Sequence, residues 1–475
     1  MRICLILEGC YPYVRGGVSA WTNDLIKSLS SHEFVLWVIG AQREKRGRFV
    51  YELPENVVDI NEVFLDESFD LRIAGNKKIS FTDDETRELL KLIKNEDPLW
   101  EVLFNCYNVK KINPVGFLKS ETFLHMLKQI CEEKYPYAGF SDLFYTVRSV
   151  ILPLIFLMGQ KIPYADIYHS ITAGYSGILG SMGAWKYNKP YIVTEHGIYT
   201  REREEEILRS KWVVPYFKDM WISFFYMLSR CAYENADIVT SLYERARTTQ
   251  IELGCSPDKC HVISNGVNCD DYMSIPKKKP NGYIDIGAIV RIFPIKDIKT
   301  MIYSFSELKH DIANARLHIL GDVDDEEYNA ECLDLAGQLG VKDIYFKGNT
   351  DVKKYMRKLD FTMLSSISEA QPLAVLESMA AGRPCVVTDV GSCRELVEGR
   401  ADDLLGGAGI CVPPMNKVAL IDAMSRLCRD EQLRAQMGEV GKKRAVSYYN
   451  YAAMIKNYKD LYERILVKWQ ALASS

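Results

Sequence analysis

The strongest chemical signal in the chain is a pair of glutamates, Glu369 and Glu377, in the stretch "SSISEAQPLAVLESMAAGRPCVVTDVG", Ser365 to Gly391. Glu369 falls just after an apolar, strand-like run. Pro372 then suits the first position of a helix, where its missing N–H costs nothing. The N–H groups of Leu373 and Ala374 would be unpaired in that first turn and free to bind oxygens. Glu377 follows a little over one turn later, so both carboxylates lie near one strand's carboxyl end, where open α/β sheets bind ligands. Two solvated surface glutamates would fit the same spacing.

Two cations form the second signal. In "AIVRIFPIKDIKTM", Arg291 and Lys296 lie between a strand and an amphipathic helix. At a strand's carboxyl end they could clamp a diphosphate, Arg as a fork and Lys as a point charge. Surface cations at loop starts are common, so the pair alone is weak. In the first half, "VTEHGIYTRERE" puts His196 after a strand; a lone histidine is more often structural than catalytic. His169, in "YHSITAGYSG", is a weaker candidate on the same side. Finally, "YPYVRGGVSAW" sets Gly16-Gly17 between a buried strand and a helix. One glycine would serve a tight turn. A pair suggests a backbone that comes close to something, and at a helix N-terminus that something is often an anion.

These residues need strand ends to hold them, and the pattern supplies such ends. Short, continuous apolar runs recur at Ile3–Leu7, Phe34–Ile39, Ile167–His169, Tyr191–Thr194 and Ile238–Ser241. They recur again at Ile284–Val290, Leu317–Leu320, Ile344–Phe346, Phe361–Leu364 and Cys385–Thr388. Runs of this kind suit strands buried on both faces. Helical stretches separate them; Ile298, Met301, Ile302, Phe305 and Leu308 form one apolar stripe. Strand alternating with helix predicts parallel sheets with helices on both faces. A linker is expected at 274–282, "SIPKKKPNG". The expected division is therefore a first α/β domain over 1–278, enlarged by a helical segment of about 55–159, and a second over 279–446. An aromatic-rich helix over 447–475 should bury one face, with Tyr451, Met454, Tyr458, Leu461, Tyr462 and Ile465. Two such domains facing each other would enclose a diphosphate in the cleft.

Composition narrows the class. The chain has 475 residues, 48% of them hydrophobic and 26% charged, with a net charge of −4. That balance is ordinary for a soluble globular protein and argues against nucleic acid as the main partner. The runs Lys277–Lys279 and Lys442–Arg444 read as solvated charge. No run reaches the roughly 20 apolar residues that span a bilayer; the best, Val150–Met158, carries Pro153 and reads as a buried helix turn. Glu8 cuts the first apolar run short, so the N-terminus reads as a strand and not a signal peptide. Thirteen cysteines without an export signal suggest reduced thiols in a cytoplasm. The cluster Cys255, Cys260, His261 and Cys269 has no Cys-x-x-Cys pair and reads poorly as a zinc site. No G-x-G-x-x-G follows a strand, which disfavours a nicotinamide dehydrogenase.

Taken together, these motifs resemble the retaining glycosyltransferases of family GT4, with the two-domain GT-B fold. Glu369 to Glu377 matches that family's E-x7-E motif and Arg291/Lys296 its R-x4-K pair; "ESMAAGRPCVVTDVGS" looks like the usual continuation. The large first-domain insertion, "YPYVRGGVSAW" and "TEHGIYTRER" look more narrowly like the cytoplasmic members that build Pel exopolysaccharide. The resemblance implies roles. Arg291 and Lys296 would hold the donor diphosphate, Glu377 the ribose hydroxyls and Glu369 the transferred hexose. Gly16 and Gly17 would approach the phosphate, His196 would lie beside the sugar, and the base would sit near Gly348-Asn349-Thr350. It also implies a UDP-sugar donor, a glycan acceptor and no cofactor or obligatory metal. The terminal helix would cross back onto the first domain. The protein would be cytoplasmic, reaching an inner-membrane polysaccharide-synthesis complex only through other subunits, with the 55–159 insertion as docking face. Two positions depart from the family: its glycine before the arginine is Val290 here, and its glycine after the lysine is Asp297. A non-catalytic sugar-nucleotide-binding scaffold and a GT-B nucleotide-sugar epimerase are the alternatives.

Overall fold

The computed structural model describes residues 1–69 and 79–473. Residues 70–78 of the expected insertion and 474–475 of the expected terminal helix lie outside the described residues. The chain divides into two compact units. The first comprises Met1–Ser241, Arg247–His261 and the chain from Lys459 on; the second comprises Leu242–Ala246 and Val262–Tyr458.

The first unit is built on seven strands: β1 (Arg2–Glu8), β2 (Glu33–Gly40), β3 (Val57–Phe64), β4 (Ile167–Ser170), β5 (Tyr191–Glu195), β6 (Ile238–Ser241) and β7 (Cys260–Val262), in the order β3-β2-β1-β4-β5-β6-β7. The pairings from β3 through β6 are parallel. The interior strands β1 and β2 carry unbroken buried runs, as expected of strands covered on both faces. β3 was not legible: it is an edge strand whose "VVDINEVF" is largely exposed over its first residues. The segment read as an insertion from 55 therefore begins with a strand of the sheet, and its helices run from Asp83 to Met158.

The apolar run at Val150–Met158 belongs to a longer helix than expected, Phe140–Met158, because Leu143 and Val147 extend its apolar face upstream. By length and composition that helix is apolar enough to cross a membrane, and Pro153 lies inside it. Val147, Ile151, Leu154, Leu157 and Met158 are buried in the core of the first unit.

The second unit has six strands: β8 (Ile284–Ile289), β9 (Ala315–Leu320), β10 (Ile344–Phe346), β11 (Phe361–Leu364), β12 (Cys385–Thr388) and β13 (Gly409–Val412). All neighbours are parallel, in the order β10-β9-β8-β11-β12-β13. The stripe Ile298, Met301, Ile302, Phe305 and Leu308 is buried in its core. This unit starts before the expected 274–282 linker. Val267 N–H donates to Tyr449 O at 2.8 Å and Tyr451 N–H to Val267 O at 3.1 Å, while Cys269 and Tyr272 join the second core. Gly266 permits that strap, since a Cβ there would stand 2.5 Å from the Tyr451 Cα.

The terminal helix spans Tyr451–Ala473, and its stripe Met454, Tyr458, Leu461, Tyr462 and Ile465 is buried. Its residues up to Tyr458 belong to the second unit and those from Lys459 to the first. Within the first unit, the Tyr462 hydroxyl meets His169 Nδ1 at 2.7 Å.

Candidate functional site

Each sheet reverses its strand order once: between β1 and β4 in the first unit and between β8 and β11 in the second. Loops diverge at such a point and leave a crevice at the carboxyl ends of the strands. Arg291, Lys296, Glu369 and Glu377 follow β8 and β11, and Gly16 and Gly17 follow β1, whereas His196 follows β5.

In the second unit, the loop after β8 carries Arg291 and Lys296. Lys296 ends a short 3-10 turn, Pro294–Lys296, and its Nζ stands 2.5 Å from Glu369 Oε1. Ser366 Oγ donates to the same oxygen at 2.6 Å. Backbone bonds stitch the two loops together: Ile367 N–H donates to Ile295 O at 2.8 Å, and Ser365 Oγ to Lys296 O at 2.9 Å. A third loop closes from β12. Gly391 is left-handed (φ 54°), and a Cβ there would stand 2.2 Å from the carbonyl oxygens of Glu369 and Ala370. Ser392 N–H donates to Ala370 O at 2.8 Å. Glu369 is thus gripped by three strand-end loops, and Gly391 is demanded by that grip.

Arg291 stands apart from this pair. Its Nη1 meets Asp324 Oδ2 at 2.6 Å, and its side chain is 62% exposed against 19% for Lys296 and 11% for Glu369. Asp297 resolves its own departure from the family pattern: it caps the helix Ile298–Asp311, its Oδ1 accepting from Thr300 N–H at 3.4 Å. Its backbone is left-handed (φ 47°), the conformation a glycine would take without cost and an aspartate tolerates.

The helix bearing Glu377 spans Leu373–Ala380. Pro372 takes the cap position, one residue earlier than expected, with no side-chain cap bond. Leu373 and Ala374 open the first turn, where N–H groups have no intrahelical acceptor. Before it, Gln371 Oε1 accepts from Asn265 N–H at 2.7 Å. Glu377 keeps different company from Glu369. Burial raises its carboxyl above the ordinary range, opposed by a hydrogen bond from Tyr272 and the charge of Lys353.

In the first unit, Gly16 precedes the helix Gly17–Ser28, which has no side-chain cap. Gly16 is extended (φ 171°), and a Cβ on either glycine would meet nothing within 4 Å. The unit's own packing therefore demands neither glycine. From that helix, the Trp21 ring meets the His196 imidazole edge-on, centroids 4.6 Å apart. His196 Nε2 is buried without a hydrogen-bond partner among the described residues, and burial lowers its pKa to about 4, so the ring is neutral at pH 7. His169 is brought elsewhere: fully buried, it bridges Tyr462 and Thr194 (2.8 Å), with its pKa lowered by burial to about 3.

Sequence reasoning passed over Glu8. It ends β1 at the crossover, where its carboxylate accepts from Ser176 N–H at 3.1 Å, Thr172 Oγ at 3.3 Å and the Tyr199 hydroxyl at 3.3 Å. Burial raises its pKa. The signal was present, a carboxylate closing an apolar strand.

A family model described as "Glycosyl transferases group 1" matches residues 273–444, and one described as "Domain of unknown function (DUF3492)" matches residues 1–258. The chain belongs to the DUF3492 family and carries a group 1 glycosyltransferase domain. It is similar to an MMP alpha-(1->4)-mannosyltransferase of Mycolicibacterium hassiacum, 23% identical over 290 residues, with 60% of this chain and 67% of that protein covered. It is also similar to a UDP-Gal:alpha-D-GlcNAc-diphosphoundecaprenol alpha-1,3-galactosyltransferase of Escherichia coli, 25% identical over 374 residues, covering 71% and 89%. The chain spans about half the length of two further curated relatives. Among solved structures, Anabaena HepE in complex with UDP and glucose superimposes with a TM-score of 0.60 at 14% identity, covering 97% of this chain and 99% of that one. That likeness establishes the fold: two Rossmann-like domains with parallel sheets, the GT-B fold. This glycosyltransferase thus carries the fold class expected from its strand pattern.

Proposed function

We propose that this glycosyltransferase is a retaining GT4 enzyme that moves a hexose or N-acetylhexosamine from a UDP-sugar to a growing exopolysaccharide, in the manner of PelF of Pel biosynthesis. The observation that carries this reading is the Lys296–Glu369 pair, 2.5 Å apart at the crossover of the second sheet, with the helix starting at Leu373 following in the same loop. A relative that is a UDP-Gal galactosyltransferase and a fold neighbour bound to UDP and glucose support a uridine donor.

In this reading Arg291 and Lys296 hold the donor diphosphate and offset the charge that grows as it leaves, without an obligatory metal. The N–H groups of Leu373 and Ala374 add donors for the phosphate oxygens. Glu369 orients the transferred sugar and Glu377 takes the ribose hydroxyls. In the first unit, Gly16 and Gly17 are assigned to the phosphates and His196, neutral, to the sugar. The bond between anomeric carbon and phosphate oxygen breaks while the acceptor hydroxyl attacks from the same face, its proton passing to the departing phosphate. The catalysis is positioning and electrostatics. The enzyme works in the cytoplasm, at the inner membrane through other subunits.

The test is thermal stabilisation of the full chain by UDP-, GDP- and ADP-sugars, repeated with Lys296→Ala. Product formation is then followed with and without EDTA, and the anomeric configuration read by NMR. The expected result is a shift with UDP-sugars only, lost in the variant, and a retained anomer formed in EDTA. An inverted product overturns retention, loss in EDTA overturns metal independence, and binding without nucleotide release overturns transfer.

A further inference from the structure

A cavity of about 660 Å³ lies in the second unit, at the other end of its sheet. Lys277, Lys279 and Asp285 line it before and at the amino end of β8, Arg316 near that of β9, and Arg357 and Lys358 ahead of β11, while Lys347 joins them from just past the short edge strand β10; Lys296 and Glu369 instead follow the carboxyl ends of β8 and β11. In a parallel sheet these two edges are opposite, so the cavity is separate from the candidate site. Its volume lies in the range of small-molecule pockets, roughly 300–1,000 Å³.

The floor is a closed polar network. Asp285 accepts from Arg316 Nε at 2.6 Å, His318 Nε2 at 2.8 Å and Lys278 Nζ at 2.6 Å, and His318 Nδ1 meets the Tyr355 hydroxyl at 2.8 Å. The first of its stabilising contacts, His318, and the two cations together hold the Asp285 carboxyl well below its ordinary range despite its burial. The rim is the opposite. Lys277, Lys279, Lys347, Arg357 and Lys358 come from three separate segments, and none has a carboxylate partner among the described residues. Lys347 lies 4.8 Å from the Tyr345 ring centroid and Lys358 4.9 Å from that of Tyr355. Those rings hold two of the cations in place.

Five unpaired cations around one opening are out of keeping with a chain whose net charge is −4. Solvated lysines lower their energy by spreading apart; converging ones focus a positive potential. We propose that this cavity binds a multiply charged phosphate group. Such a group would meet the rim with charge-assisted hydrogen bonds while the floor stays fixed by its own network. The group could arrive on a free oligophosphate or on an anionic lipid headgroup.

The experiment uses the full chain carrying Lys296→Ala, which removes the candidate donor clamp, and tripolyphosphate as probe, followed by thermal shift and calorimetry. Binding is expected, weakening as salt rises. Lys347→Glu combined with Arg357→Glu should weaken it by about tenfold or more. Lys347→Gln with Arg357→Gln, which only removes charge, should give a smaller loss in the same direction. Sedimentation with phosphatidylglycerol vesicles, compared with phosphatidylcholine ones, separates the sources: rim-dependent pelleting assigns a headgroup, and tripolyphosphate binding without pelleting assigns a free ligand. Absence of both, or binding unchanged in both rim variants, overturns the proposal.

Discussion

The two strand crossovers meet the same kind of problem with different chemistry. In the second unit the crossover is charged and already paired: Lys296 on Glu369, Arg291 on Asp324, and Glu377 under the Tyr272 hydroxyl. In the first unit it is buried, with the Glu8 carboxylate held by Ser176, Thr172 and Tyr199, His196 packed on Trp21 and a bare Gly16-Gly17 backbone. The difference teaches a division of labour. In the second unit cations and carboxylates hold one another in position, whereas in the first the Glu8 carboxylate is held by hydroxyl and N–H donors. The largest effect should therefore come from the charged side. On the proposed reading, Lys296→Ala and Glu369→Ala each remove a preorganised contact worth about 3–4 kcal/mol, or roughly 100- to 1,000-fold in turnover. Circular dichroism should still report a folded chain. Near-normal rates in both variants would break the comparison at its first term.

How far this could be read beforehand follows from where each residue type was placed. The interior strands were legible because burial on both faces forces continuous apolar runs. β3, half exposed at an edge, and the four-residue β13, opening with a glycine, leave no such run. Glu369 with Glu377, and Arg291 with Lys296, were legible because each pair has a local spacing along its own strand–helix unit. The grip on Glu369 was not, since Gly391 and Lys296 reach it from loops that only the sheet order brings together. His169 shows the converse. A histidine at a strand end looked like a site candidate, and it is a buried link to Tyr462, 293 positions away in sequence.

The buried histidines of the first unit can be tested by acid. His169 and His196 are held near pKa 3 and 4 from an ordinary 6.5, so between those values the unfolded chain binds more protons and stability falls as pH falls. His169 alone contributes roughly 3 kcal/mol of loss by pH 4. Glu8 and Glu195, whose pKa values burial raises, act in the opposite sense. Urea midpoints from pH 7 to 4.5 should therefore drop more steeply for the parent than for His169→Gln. Parallel profiles would mean that the histidine is not what makes this unit acid-sensitive.

Gly17→Val is a smaller probe of the same side. A Cβ at Gly17 meets nothing within 4 Å, so stability should change by about 0.5 kcal/mol or less, the scale of a helix propensity difference. Turnover on a UDP-sugar should fall by about tenfold if the bare backbone serves the donor. A large loss of stability with donor use intact would assign the glycine pair to the turn instead.

The smallest expected effect sharpens the charged side most. Arg291 is paired with Asp324 but is far more exposed than Lys296. An exposed pair of this kind contributes about 0–1 kcal/mol, so Asp324→Asn should leave the melting temperature nearly unchanged. Its effect on the donor depends on what Asp324 does to Arg291. If the aspartate only competes for the guanidinium, releasing it should lower the donor KM by roughly two- to threefold at low ionic strength. That gain should fade as salt screens the exposed charges. If the aspartate holds the guanidinium where the diphosphate needs it, the same substitution raises KM at every salt concentration. The two outcomes separate a clamp that the ligand must assemble from one that the fold assembles in advance, as it does for Lys296.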